Sequence, residues 1–287
     1  MTSQVTPDRT ARSDDWNRAE IRASQIRASR TGAWRLFFAW LLILLPACQP
    51  AKDLASERHA KAVKALIDLG AEVRDVEDEV SHDHGTYVFL YAEHFNREGQ
   101  MHDNVLTLIR EIQTLFLDLS DTPLKDEALP KLARLPNLQV LNLTRTQMTD
   151  RGLKLIAASR DIRLLKLNRT RITDEGLAGL ADMPSLRMIY LGNTSLSDAA
   201  LGHLAKLPQL EAIKLSGLPI SDEGLKSLQE MPRLRFLGLD GSSITDAGLK
   251  HLELLPKLAY LDVQETAVSQ QGAEGFRKRH PQCHLED

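Results

Sequence analysis

The chain has 287 residues, a length that allows about two ordinary domains. Its 36 basic and 39 acidic residues give a formal net charge of −3, and only 5% of its residues are aromatic. A protein that tracks nucleic acid needs a basic surface and often aromatic stacking platforms, so this composition argues against nucleic acid as a partner. The two cysteines, Cys48 and Cys283, are too few for a disulfide scaffold or a cysteine-built zinc site.

The N-terminus has the features of a leader and a secretion signal. Residues 1–35 are polar and rich in Arg and Ser, and residues 36–48 carry an apolar run that ends at Leu45. That run spans only about 15 Å as a helix, against about 30 Å of bilayer hydrocarbon. A short apolar run with arginines before it is typical of a signal-peptide core rather than of a membrane span.

A candidate lipidation site follows directly after the apolar run. The quartet Leu45-Pro46-Ala47-Cys48 resembles the lipobox of bacterial lipoproteins. In that family the cysteine receives diacylglycerol, so the resemblance implies that Cys48 is lipidated and that the protein is anchored to a membrane outside the cytoplasm. Two alternatives stay open: an uncleaved signal anchor, in which the short apolar segment itself holds the membrane, and a cytoplasmic protein.

A period of 24 residues organises the rest of the chain. Seven units begin at Thr114, Leu138, Ile162, Leu186, Leu210, Leu234 and Leu258. Stacked, the unit reads Leu-x-x-Leu-x-Leu-x-x-Thr-x-Ile-Thr-Asp-x-Gly-Leu, and it fills residues 114–287. This unit resembles the leucine-rich repeat, in the variant that has Thr-Asp-x-Gly-Leu on its back, as in F-box-associated and many bacterial repeats.

The same residues predict how each unit folds. Leu141 and Leu143 alternate along a strand and face one side of it, while Leu153 and Ile156 have helical spacing and close over them. One coil cannot bury this face alone, so neighbouring coils must stack. We therefore predict an α/β leucine-rich repeat solenoid of right-handed βα coils. Its parallel sheet lies on the concave face, its helices lie on the convex face, and an α/β cap covers its N-terminal end.

Two polar columns are predicted to support the stack. The pair that precedes each helix, as in Thr149-Asp150, predicts a helix N-cap. A ladder of hydroxyls follows the strands, and we expect each hydroxyl to bridge backbone groups of adjacent coils. The ladder consists of Thr122, Thr146, Thr170, Thr194, Ser242 and Thr266.

Residues 49–113 are predicted to hold a tether, an N-terminal cap and a degenerate first coil. Helical spacing that ends at Gly70 indicates a helix over 56–69. Residues 86–113 repeat the spacing of a later coil, with strand-forming residues over 86–91. A repeat stack needs such a cover for the apolar face of its first coil.

The concave face is the candidate binding surface, with strand positions that we expect to be exposed. Aromatic residues, Met and Arg are favoured at the centres of protein interfaces. One column contains Phe116, Val140, Leu164, Met188, Ala212, Phe236 and Tyr260, the next contributes Lys166, Tyr190 and Lys214, and a flanking row contributes Arg163, Arg187 and Arg235. The alternative is that the first column merely covers its own strands with β-forming residues.

The size of this face limits what it can do alone. Strands about 4.8 Å apart and residues about 3.3 Å apart give a flat area of roughly 500 Å². A standard interface buries about 800 Å² on each partner. A protein partner must therefore also use the rims or the cap, or bind weakly.

A histidine cluster near the cap is the one metal-like feature of the sequence. It comprises His82, His84, His94 and His102, whose spacing matches no specific motif. The chain also has no glycine-rich phosphate loop, no Gly-x-Ser-x-Gly elbow and no His-Glu-x-x-His helix. We therefore predict no catalytic residue, no cofactor and no metal. A metal-dependent enzyme that uses the cap histidines is the alternative.

These features together predict a non-catalytic repeat protein. The leucine-rich repeat resemblance implies a protein partner, which we expect on the concave face of a monomer. The lipobox resemblance implies that the chain is held at a membrane through Cys48, with the short apolar segment as the alternative. An intracellular F-box-like adaptor for ubiquitin-ligase substrates is the second hypothesis. Residues 1–55 contain no compact helical module that could serve as an F-box, so this hypothesis has less support.

Overall fold

The computed structural model describes residues 54–77, 84–113 and 115–287, apart from the side chains of Val76, Glu77 and His84. These residues form one ten-stranded sheet whose strands lie in chain order. The strands are β1 Glu72–Glu77, β2 His84–Phe89, β3 Leu115–Asp118, β4 Leu138–Asn142, β5 Leu164–Lys166, β6 Met188–Tyr190, β7 Ala212–Lys214, β8 Phe236–Gly238, β9 Tyr260–Asp262 and β10 His284–Glu286.

From β2 onward, helical segments connect each strand to the next along one side of this sheet. The α-helices are α1 Leu54–Asp68, α2 Asp103–Ile109, α3 Leu129–Leu132, α4 Asp150–Ile156, α5 Asp174–Leu177, α6 Ala199–Leu204, α7 Asp222–Leu225, α8 Asp246–Leu252 and α9 Gln270–Arg279. Short 3-10 helices span Ala92–His94, Asp126–Ala128, Ala178–Asp182 and Lys226–Glu230. Most helices are short because each coil spends its remaining residues on a strand and two turns.

One apolar core runs between the strands and the helices. Leu143, Leu167 and Leu191, from three consecutive coils, are fully buried in it. Leu153 and Ile156 of α4 close the core from the helix side. Burial of one such side chain stabilises the fold by roughly 2 kcal/mol, and a coil removed from the stack would expose both of its faces. The predicted α/β leucine-rich repeat solenoid is confirmed.

The N-terminal end of the stack is closed by α1 and β1. Strand β1 pairs with β2 in the antiparallel sense, with Val73 opposite Val88, whereas β2 and the later strands pair in parallel. Leu66 of α1 is fully buried in the common core. Strand β2 and helix α2 occupy the places that a strand and a helix take in the later coils. The cover therefore continues the sheet while ending the repeat.

The C-terminal end carries a strand that the repeat pattern did not predict. After α9, strand β10 pairs in parallel with β9, so that Leu285 lies opposite Leu261. Leu285 and Cys283 are buried there, and burial raises the pKa of the Cys283 thiol to about 12. The strand lies one period of 24 residues after β9, but Asp287 stands where the earlier units have the second apolar residue of Leu-x-Leu, which explains why the strand was missed.

Several predictions concern residues outside the described ranges. They are the leader 1–35, the apolar segment and lipobox-like quartet 36–48, and His82. Among the described residues, no helix is both long enough and apolar enough to cross a membrane.

Candidate functional site

The aspartate column joins neighbouring coils. Asp150 Oδ1 accepts the backbone N–H of Thr173 at 2.7 Å, and Asp150 Oδ2 accepts the hydroxyl of the same residue at 2.7 Å. The same two bonds link Asp126 to Thr149, Asp174 to Ser197, Asp198 to Ser221, Asp222 to Thr245 and Asp246 to Ser269. Each carboxylate therefore fixes the turn of the next coil, and we call this set of bonds the aspartate ladder.

The N-cap prediction is correct for only some of the helices. Ser221, Thr245 and Ser269 accept a backbone N–H of the helix that follows them. Thr149 and Thr173 make no side-chain capping bond, so the prediction is wrong for them. The hydroxyls of all five residues donate to the preceding coil's carboxylate, which is a stronger acceptor than a neutral group, so this bond is the common feature of the column and capping is secondary.

The hydroxyl ladder acts within coils, so its predicted role as a bridge between coils is wrong. Thr146 Oγ1 donates to the carbonyl oxygen of Leu143 at 2.8 Å, and the other threonines of the ladder do the same three residues back. Arg145, with φ 58°, turns the chain back and brings these two groups together. Its own N–H donates to Asn168 in the next coil at 2.9 Å, so the backbone supplies the bridge.

The sheet face that points away from the helices, here called the outer sheet face, holds the predicted binding column. Phe116, Val140, Leu164, Met188 and Tyr260 are only 1–8% exposed, so the prediction that this column is exposed is wrong. In-register strands set neighbouring side chains about 4.8 Å apart. These residues and Ala212 of the same column pack with Tyr190 into a second apolar cluster, and Phe236, the remaining member of the column, lies half-buried against it.

Basic side chains flank this cluster and are more accessible. Arg187 is exposed, whereas Arg163, Arg235, Lys166 and Lys214 are half-buried. The ammonium of Lys166 lies 5.1 Å from the centre of the Tyr190 ring, and the Arg235 guanidinium lies 5.8 Å from that of Phe236. Such contacts attract the cation to the ring face and restrict where it lies.

The C-terminal end of the outer sheet face is acidic, a feature that the column pattern did not reveal. Burial, and a hydrogen bond that the Tyr260 hydroxyl donates to the Glu286 carboxylate, raise the pKa of Tyr260. Asp262 is 6% exposed, and burial raises its pKa to about 6, to which Asp240 and Glu286 add repulsion. These acids are separated in sequence by more than twenty residues. Asp262 lies opposite Glu286 across β9 and β10, and Asp240 follows β8, the strand on the other side of β9.

Of the four clustered histidines, only His94 and His102 have described side chains. No group of three or more His, Cys, Asp or Glu side chains within 54–77, 84–113 and 115–287 is placed to bind a metal. His94 is buried, and its Nδ1 accepts the backbone N–H of Tyr91 at 3.0 Å. That bond engages one of the two ring nitrogens in the local turn, which leaves only Nε2 of this histidine as a possible ligand.

Comparison with known proteins places these coils in a family. The family model described as a leucine-rich repeat matches residues 134–157 and 158–181, which are consecutive. Comparison with the curated proteins found no match. Among solved structures, the chain is similar to an internalin C2 (inlC2) from Listeria monocytogenes str. 4b F2365. The two are 21% identical, the match covers 74% of this chain and 85% of that one, and the TM-score is 0.49. The matched units and the stacked coils around them show that the chain contains leucine-rich repeats.

Proposed function

We propose that the protein is a non-catalytic scaffold that binds another protein through its outer sheet face. The observation that carries this proposal is the composition of the accessible part of that face, where Arg187, Arg235 and Phe236 stand beside a buried apolar cluster. Arginine and aromatic residues supply most of the binding energy of protein interfaces. A packed cluster beneath them restricts their rotamers before binding, which lowers the entropy that association costs.

A double substitution on the outer sheet face should abolish partner binding. The partner is first identified by chemical cross-linking in the native cells and mass spectrometry, and is then purified. We expect Arg187→Glu with Phe236→Ala to raise the dissociation constant by about 1,000-fold, since hot-spot residues contribute roughly 2 kcal/mol each. The measurement is titration calorimetry with the purified partner.

The matched control places the same chemical changes elsewhere. Arg171 and Leu254 are exposed outside the outer sheet face, so Arg171→Glu with Leu254→Ala should leave the affinity unchanged. Melting temperatures of both double variants check that they are folded. Equal weakening by the two pairs, or by neither, would reject the outer sheet face as the binding surface.

We also propose that the protein is attached to a membrane outside the cytoplasm by a lipid on Cys48. The lipobox-like quartet Leu45-Pro46-Ala47-Cys48 supports this proposal. Helix α1 begins at Leu54, so only a short tether separates the lipidated cysteine from the folded cap. A lipid at this position would hold the repeat stack close to the membrane surface.

Metabolic labelling tests the lipid anchor. When cells that express the chain are grown with radiolabelled palmitate, the chain should become labelled, and Cys48→Ser should abolish this labelling. Cys283→Ser is the control, because this thiol is buried and should not be acylated. A wild-type chain without label, or label that persists in Cys48→Ser, would refute the anchor.

A further inference from the structure

An open groove of about 600 Å³ lies at the edge of the sheet where β7, β8 and β9 begin. Its walls include Glu211, Arg233, Arg235 and Lys257. The backbone along this edge is already hydrogen-bonded from coil to coil, as in the 2.8 Å bond from Arg235 N–H to the carbonyl oxygen of Glu211. A ligand in the groove would therefore be recognised by the charged side chains.

Neutral groups hold two of the three positively charged side chains of the groove in place. Arg233 donates to the side-chain oxygen of Gln209, and the Arg235 guanidinium lies over the ring of Phe236. Lys257 is exposed. In the part of the chain that the structure describes, no carboxylate lies within ion-pair distance of these three cations. The nearby Glu211 carboxylate faces a cation outside the groove, at 3.9 Å from the guanidinium of Arg187.

The repeats provide an internal comparison for these charges. Positions equivalent to Arg233 in the preceding coils are occupied by Asn137, Asp161, Ser185 and Gln209. The coil therefore folds without a basic residue at this position, and basic residues are found there only in the coils that border the groove. Because the whole chain carries a net charge of −3, a general excess of basic residues does not explain the cluster either.

We propose that this groove binds a short acidic segment of the partner protein, with Asp or Glu carboxylates on Arg233, Arg235 and Lys257. A guanidinium presents two parallel N–H donors that match a carboxylate. Three strand starts span about 10 Å, the length of about three extended residues. A nucleic acid backbone would need a longer basic track and would meet the carboxylate of Glu211.

The inference rests on the proposed function, because it assumes that the partner is a protein. It also supplies what the outer sheet face lacks, because an edge groove adds contact area to a surface of only roughly 500 Å². The groove is tested with a labelled peptide, whereas the outer sheet face is tested by the affinity for the purified partner. A negative result for one therefore leaves the other proposal intact.

The probe is a fluorescein-labelled peptide, Gly-Ser-Glu-Glu-Glu-Glu-Ser-Gly, whose binding to the full chain is followed by fluorescence anisotropy at low salt. We expect Arg233→Gln with Lys257→Gln to weaken binding by about tenfold, because each lost cation removes a charge-assisted contact. Arg171→Gln with Lys250→Gln removes the same charge from exposed positions elsewhere and should leave the affinity unchanged. The peptide with Gln in place of Glu should not bind.

Three results would overturn the inference. The first is absence of peptide binding by the wild-type chain. The second is equal affinity of the groove variant and its charge-matched control, which would assign binding to net charge alone. The third is tighter binding of an oligothymidylate of matched charge than of the acidic peptide, which would favour a nucleic acid ligand.

Discussion

Replacing Gly176 by alanine should lower the free energy of unfolding by about 2 kcal/mol. A Cβ at this position would lie 2.3 Å from Asp150 Oδ1 and 2.8 Å from Asp150 Cγ. The Asp150 side chain is short and engaged by the N–H and the hydroxyl of Thr173, so it cannot move without losing both bonds. The substitution therefore displaces the next coil or breaks one step of the aspartate ladder.

Gly202→Ala is the matched control for this prediction, measured by urea unfolding of both variants. A Cβ at Gly202 of α6 meets nothing within 4 Å, so alanine should be neutral or should stabilise by up to about 1 kcal/mol. In the coil of α6, Ala200 occupies the position that corresponds to Gly176. Helix α6 begins at Ala199, one residue after its ladder aspartate, whereas α5 begins at its ladder aspartate, Asp174. Similar effects of the two substitutions would show that the close approach at Gly176 has no energetic consequence.

Replacing Asp262 by asparagine should stabilise the protein by about 2 kcal/mol at pH 7.5 and change little at pH 4. Burial holds the pKa of Asp262 at about 6, above its ordinary value of 3.8. The folded state therefore binds a proton that the unfolded state releases, and stability falls as the pH rises from about 4 to about 6. Asparagine removes this loss, and its side-chain oxygen can still accept the N–H of Gln264.

The measurement is chemical unfolding of the wild type and the variant at both pH values. Asp246 acts in the opposite direction, because hydrogen bonds from Ser269 lower its pKa, so that its contribution is lost as the pH falls. Both proteins contain Asp246, so its contribution cancels in the difference. A stability difference that is the same at pH 4 and at pH 7.5 would show that Asp262 does not carry a raised pKa.

The repeat period was sufficient to predict the stack but not the bonds between its coils. Leu143, Leu167 and Leu191 are buried as expected, because strand alternation and the spacing of 24 residues fix both their face and their neighbours. The partner of Asp150 depends on the offset between coils, which no local pattern contains. The glycine two residues after most of these aspartates was the available signal, since it implies that another group approaches closely.

The binding face was predicted in position but not in exposure. Alternation placed Val140 and Leu164 correctly on the side of the sheet away from the main core. Their burial depends on the volumes of the side chains beside them on neighbouring strands. The sequence pattern of a single strand does not include those volumes. The groove was missed for a related reason, because Arg233 and Lys257 precede strands of different coils and only the stack brings them together.

Site-specific photo-cross-linking tests the central claim, that the outer sheet face contacts a protein partner, most directly. A photoreactive amino acid is placed at position 187, next to Met188 of that face, or at position 254, which is exposed elsewhere. The account predicts an adduct with one defined protein from position 187 and no adduct with that protein from position 254. An adduct with the same protein only from position 254 would contradict it.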